Sequence, residues 1–266
     1  MPAERPRRSV QGRDSWPLDE QVDDGHGRAV VHGRFRSSAM TVPAASLSIS
    51  IDPAVRAACP GLALGIVTAD VVNGIDDVAL GAELDACAAA VRAALTIEGI
   101  ATLPAVLALR RAYRAFGKDP ARYRGSQEAL LRRILKGLAL YRINTVVDIN
   151  NLVSIESRQS LGVYDRDRID GDAVVMRVAV AGETYKGIGK DVLNLEGLPV
   201  YVDAAGPFGS PTSDSERAMV TAATRRILLV VTAFGGADGL PATLDRVAGL
   251  LRRYAQAQLI ETAIVA

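Results

Sequence analysis

Apolar and polar positions alternate from Ser46 to Ile51, the two-residue period of a half-buried strand. Asp52-Pro53 reads as a helix entry, and Leu62 to Val67 as a second strand. From Asp76 the period lengthens: Leu80, Leu84, Cys87, Val91 and Leu95 recur at helical spacing, which places Cys87 on a core stripe rather than in a nucleophile's role. Thr102-Leu-Pro104 predicts a cap and first turn of a helix running to about Phe116. The next helix starts at Ser126, whose hydroxyl is the expected cap, and buries Leu130, Leu131, Ile134, Leu135 and Leu138. A short helix follows from Val146 to Ile155. Beyond it the pattern turns strand-like. Asp170-Gly171 marks a turn, Ala173 to Val180 a strand, and Ala181-Gly182 a hairpin turn into Thr184-Tyr-Lys186. Strands also fit Pro199 to Val202, Ile227 to Val231 and Thr262 to Val265, with an amphipathic helix between Pro241 and Tyr254. Helices gathered early and strands late predict an α+β fold with a largely antiparallel sheet and helices packed around it.

Residues 1–40 break this picture, being rich in Arg, Asp, Gly and Ser with no apolar period. They predict a disordered polar tail ahead of a single α+β domain over residues 41–266, with Met40 as an alternative initiator to Met1. No apolar run approaches the roughly 18 residues of a membrane helix. The N-terminus also lacks the apolar core of a signal peptide, so a cytoplasmic protein without a membrane partner is expected. Cys59 and Cys87 form no C-x-x-C pair and are expected as reduced thiols. Both histidines, His26 and His32, fall in the polar stretch, so the expected folded body has no imidazole. That argues against a Ser-His-Asp triad, a Cys-His pair or a His-ligated metal, and no metal or cofactor is expected. Ser126, Ser154 and Ser213 have no His to activate them. Gly187-Ile-Gly-Lys190 lacks the first half of a phosphate loop and is followed by Asp191, so it reads as a hairpin end.

Charge changes the picture locally. Between Arg110 and Lys136 stand nine basic residues, among them Arg110, Arg111, Arg114, Lys118, Arg122 and Arg124, against only Asp119 and Glu128. With Tyr113, Phe116 and Tyr123 interleaved, the segment suits either a nucleic-acid footprint or the solvated face of two helices. Asn144, Asp148 and Asn151 share one helical face among Val146, Val147, Ile149, Leu152 and Val153. Polar groups in such a segment need partners, from a ligand or from the protein's own backbone, and Asn144 also fits an N-cap.

These same residues carry a resemblance. The run Tyr123 to Gly137, then Arg142-Ile-Asn144 and Val147 to Asn151, resembles a group of free-standing homologues of the tRNA-binding and editing domain of the phenylalanyl-tRNA synthetase β subunit. So do Gly162 to Asp167, Asp170-Gly171 and Ser215-Glu216-Arg217, the likeness being clearest over residues 123–234. The synthetase pattern is V-D-x-T-N-Y followed by H-A-F-D. Val147, Asp148 and Asn151 match it, as do Tyr164 and Asp165, whereas Asn150 replaces Thr and Gly162 replaces His. The resemblance implies a partner in the aminoacylated 3′ end of tRNA, or a free amino acid, and no DNA. It nominates Asp148, Asp165 and Glu216 as catalytic carboxylates. Asn144, Asn151, Tyr164 and Arg217 are nominated for substrate binding, and Arg110, Arg111, Arg114, Lys118, Arg122 and Arg124 for RNA. Three functions stand side by side: hydrolysis of mischarged aminoacyl-tRNA, non-catalytic binding of tRNA or an amino acid, and a small-molecule enzyme that reuses the pocket.

Overall fold

The computed structural model of the protein describes residues 47–75 and 77–266. The tail expected over residues 1–40, and with it the choice between Met1 and Met40, lies outside the described residues. The chain opens with β1 (Ser48–Ile51), α1 (Pro53–Ala58) and β2 (Ala63–Asp70). The Asp52 carboxylate accepts the Ala54 N–H, and Pro53 occupies the first turn where its missing N–H costs nothing. Asp77 caps α2 (Val78–Ala94) by accepting from the Leu80 N–H at 2.9 Å, and Leu80, Leu84, Ala88 and Val91 form its buried face. A 3-10 turn from Gly99 to Thr102 precedes α3 (Pro104–Ala115), so Leu103, not Thr102, holds the cap position.

The helix α4 (Ser126–Leu135) starts at Ser126 as expected, but its cap lies one residue earlier. Gly125 is its cap, while the Ser126 N–H donates to the Pro211 carbonyl and its hydroxyl pairs with Ser160. Leu138 lies past the helix end and is 50 % exposed rather than buried. Next come α5 (Thr145–Ser157), β3 (Ser160–Asp165), β4 (Ala173–Val178), β5 (Thr184–Lys186), β6 (Val192–Asn194), β7 (Pro199–Asp203) and β8 (Gly206–Gly209). The chain closes with β9 (Arg226–Ala233), α6 (Leu240–Tyr254) and β10 (Gln258–Val265). The turn at Ala181-Gly182 exists, with Gly182 at φ +83°, but it does not join a hairpin: β5 pairs with β6, and β4 with β1 and β7.

Two four-stranded sheets organise the α+β fold, in the orders β10-β2-β9-β3 and β1-β4-β7-β8. All named pairings are antiparallel except β1 with β4. The central β2 and β9 are apolar on both faces because both are covered. Ala63, Val67, Ile227, Leu229 and Val231 pack with α2, α4, α5 and α6. Leu64, Ile66, Leu228 and Val230 pack against the second sheet and α3. A strand covered on two sides reads as a continuous apolar run, which is why Ile227 to Val231 is so legible. Among the described residues no helix is long and apolar enough to cross a membrane.

Candidate functional site

The polar stripe on α5 is tied into the fold at the helix start. Asn144 is the N-cap, its side-chain oxygen accepting the Val147 N–H at 3.0 Å. Asp148 is buried with both oxygens engaged, one by Arg142 Nε at 2.7 Å and the other by the Ile143 N–H at 3.2 Å. Asn73 links this turn to the β9 approach: it accepts from the Val146 N–H and donates to the Thr221 carbonyl. Asn151 is half-buried on the same helix.

At the end of β3 the nominated side chains separate. Strand alternation points Tyr164 into the space between the sheets and sends Asp165 to the opposite face. There Asp165 accepts from the Asp167 N–H at 3.0 Å and from the Thr224 hydroxyl at 2.7 Å. The later motif block does come alongside, because Tyr164 and Met219 form an isolated antiparallel bridge. Within that block Glu216, 37 % exposed, pairs with Lys186 at 3.0 Å. Arg217 forks onto Asp203 at 2.8 and 2.9 Å and donates to the Arg168 and Gly206 carbonyls. Burial alone would raise the Asp203 carboxyl, but the Arg217 guanidinium outweighs it and holds the group below the usual range. Each nominated carboxylate therefore has its own partner set, and Arg217 fastens a turn to β7.

The space between the sheets holds a group that the motifs did not mark. The Tyr164 hydroxyl donates to Asp214 Oδ1 at 2.7 Å, and the Ser210 N–H reaches the same oxygen at 3.3 Å. Around them the 210–214 loop is fixed from several elements. Tyr185 and Ser210 donate to the Ser213 carbonyl, Tyr113 pairs with Thr212 at 2.6 Å, and Lys190 donates to the Ser213 hydroxyl at 3.2 Å. Burial pushes Asp214 up to about 6, against the opposing pull of the Tyr164 hydroxyl, the Ser210 N–H and Lys190. Fully buried Tyr164 stands edge-on to Phe208, with centroids 4.9 Å apart at 88°. The sequence offered one signal for Asp214, its place beside the Ser215-Glu216-Arg217 block, but the partner lies 50 residues away.

Glycine is required on either side of that phenol. A Cβ on Gly162 would lie 2.8 Å from Tyr164 Cζ, and one on Gly209 would lie 2.6 Å from it. Tyr164 thus fills the room that the His of the family pattern would need at position 162. Two shallow surface depressions, one beside Asp70 and Gln258 and one beside Pro241 and Ile264, contain none of the nominated residues. Among the described residues, two buried side-chain oxygens have no partner, Gln127 Oε1 and Asn150 Oδ1. Asn150 takes the place of the family's Thr, whereas the motif match nominates its neighbour Asn151.

The basic segment divides into paired and unpaired cations. Arg110, nominated for RNA, instead turns inward and grips Glu128 through two hydrogen bonds of 3.1 and 2.7 Å. Arg111, Arg114 and Arg122 are exposed and Lys118 is half-buried; none of the four forms an ion pair among the described residues. Arg124 is exposed, 3.8 Å from Glu128. Lys118 and Arg122 each lie 5.7 Å from the Tyr123 ring centre.

Comparison with known proteins agrees with the resemblance read from the motifs. The phenylalanine--tRNA ligase β subunit of Moorella thermoacetica is 34 % identical over 118 residues, which is 43 % of this chain and 14 % of that protein. The chain therefore spans a small part of the length of the relative it matches. A crystal structure of an N-terminal fragment of the phenylalanyl-tRNA synthetase β subunit from Pyrococcus horikoshii superposes with a TM-score of 0.43 at 15 % identity, covering 82 % of this chain and 54 % of that one. A family model described as the B3/4 domain matches residues 108–254, from within α3 to the end of α6. That match spans more than half of the 266 residues, and the protein belongs to the B3/4 domain family.

Proposed function

We propose that this protein binds tRNA, with the exposed face of α3 and the following loop as the contact surface. The observation that carries the reading is the set of cations without an ion pair among the described residues, Arg111, Arg114, Lys118 and Arg122, within a segment where Arg110 is already matched by Glu128. Cations without protein partners are free to displace counterions from phosphates, which supplies most of the affinity of a sequence-independent nucleic-acid contact. The tRNA ligase among its relatives supports RNA as the polyanion. Replacing Arg111, Arg114, Lys118 and Arg122 with Gln should weaken retention of bulk tRNA and flatten its dependence on salt. Loss of the four contacts lowers the slope of log K against log salt by about 3, at roughly 0.7–0.9 per phosphate. Wild-type protein that retains no tRNA at low salt would refute the reading and leave the small-molecule enzyme in its place.

A second reading, hydrolysis of mischarged aminoacyl-tRNA, is favoured by Asp214. A carboxyl raised to about 6 lies close to the range a general base needs near neutral pH. Asp148 and Asp165, like Asp214, have hydrogen-bonding partners that a base would have to leave, so the raised carboxyl is what sets Asp214 apart. Incubation with a panel of mischarged tRNAs decides it. Ester loss abolished by Asp214→Asn supports this reading, whereas ester loss that survives it but fails in Asp148→Asn, Asp165→Asn or Glu216→Gln returns the role to the motif carboxylates.

A further inference from the structure

We propose that Glu128 is the positioning residue of the basic surface, one buried carboxylate that locks Arg110, Arg124 and Arg132 into a fixed group able to receive a phosphodiester. The inference rests on the RNA-binding reading above. Glu128 is 1 % exposed, and its two oxygens collect cations from three segments. Arg110 Nη2 of α3 reaches Oε1 at 2.7 Å and its Nε reaches Oε2 at 3.1 Å. Arg132 Nε of α4 donates to Oε1 at 2.8 Å, and Arg124 Nε, from the loop between the helices, lies 3.8 Å from the same oxygen. Three guanidiniums against one carboxylate leave the group positive. Arg124 and Arg132 keep 46 % and 26 % of their side chains in solvent, so their outer N–H groups remain available to an anion.

A buried ion pair is poor evidence for stability, because desolvation offsets much of the attraction. What Glu128 contributes is geometry. Arg110 is fixed by two parallel bonds, so the roll of α3 about its axis is set, and with it the direction of Arg111 and Arg114 on the exposed side. Close packing reinforces the same spacing, since a Cβ on Gly125 at the start of α4 would lie 2.7 Å from Leu109 Cδ1 of α3.

Charge and position make opposite forecasts, which allows a clean test. Glu128→Gln removes a negative charge from a basic surface, so simple electrostatics predicts tighter tRNA binding; we expect weaker. The pair Arg110→Gln with Glu128→Gln leaves net charge unchanged and should weaken binding about tenfold, as for one lost charge-assisted hydrogen bond to phosphate. Glu128→Asp, which keeps the carboxylate, should recover part of that loss. Binding of the folded double variant equal to wild type, or tighter binding of Glu128→Gln, overturns the inference while leaving tRNA binding itself intact. Should the Gln variants not fold, Arg124→Gln and Arg132→Gln serve instead. Each should lower the salt slope by about one, and no change in either overturns the proposal. Absence of binding by wild type would remove the underlying reading, a distinguishable result.

Discussion

Replacing Asp214 with Asn should stabilise the protein at neutral pH and leave it unchanged in acid. In the folded chain the carboxyl is raised from 3.8 to about 6. A group raised in this way contributes stability that is complete below its unfolded value and is lost as pH rises through its folded value. At ~1.4 kcal/mol per pH unit, ionisation of Asp214 costs the native state about 3 kcal/mol above pH 6. That is an upper figure, because the residue is only half-buried. Asn cannot ionise, and its side-chain oxygen can still accept from the Tyr164 hydroxyl and the Ser210 N–H. For a chain of this size the gain is worth roughly 2–4 °C per kcal/mol, hence up to roughly 6–12 °C in Tm. Thermal unfolding of wild type and Asp214→Asn from pH 4 to pH 8 tests this, with the difference opening between pH 4 and pH 6. A variant less stable than wild type by the same margin at both ends would show that the charged carboxylate is not under strain.

Two further perturbations probe the same architecture. Gly162→Ala should cost about 1–3 kcal/mol by forcing the Tyr164 ring from its place; the loss should shrink in a Tyr164→Leu background, and a variant as stable as wild type would contradict the crowding. Asn144→Ala should cost about 1 kcal/mol through loss of the α5 cap; a large change in tRNA affinity with unaltered Tm would return Asn144 to the ligand.

Much of the fold was legible where local pattern and burial agree. The apolar run at β9, the stripe of α2 and the cap at Asn144 were read directly, since each depends on residues within a turn or two. β3 and β8 escaped because Ser160, Gly162, Gly206 and Gly209 break the apolar alternation: Gly162 and Gly209 make room for Tyr164, Gly206 takes a positive φ, and Ser160 hydrogen-bonds to Ser126 and the Pro211 carbonyl. The parallel pairing of β1 with β4 was equally hidden, for it joins residues about 125 positions apart. The site was harder still. The chemistry of Asp148 depends on Arg142, just ahead of the α5 cap, and that of Arg217 on Asp203 in β7, partners outside the element that holds each residue and so beyond any helical or strand repeat. The charge of the 110–136 segment was countable in advance, but not that Glu128 would draw Arg110 inward.

The placement of β2 has a consequence for synthesis. Both its hydrogen-bonding neighbours, β9 and β10, belong to the C-terminal end of the chain. β2 leaves the ribosome about 160 residues before β9, a wait of roughly 8–30 s at ordinary elongation rates. Throughout that interval an apolar strand stands with both edges bare, the condition that invites pairing with the wrong chain. The middle of the molecule is thus the last part to be secured, and nascent chains stalled before residue 226 are the species most exposed to aggregation or in need of a chaperone.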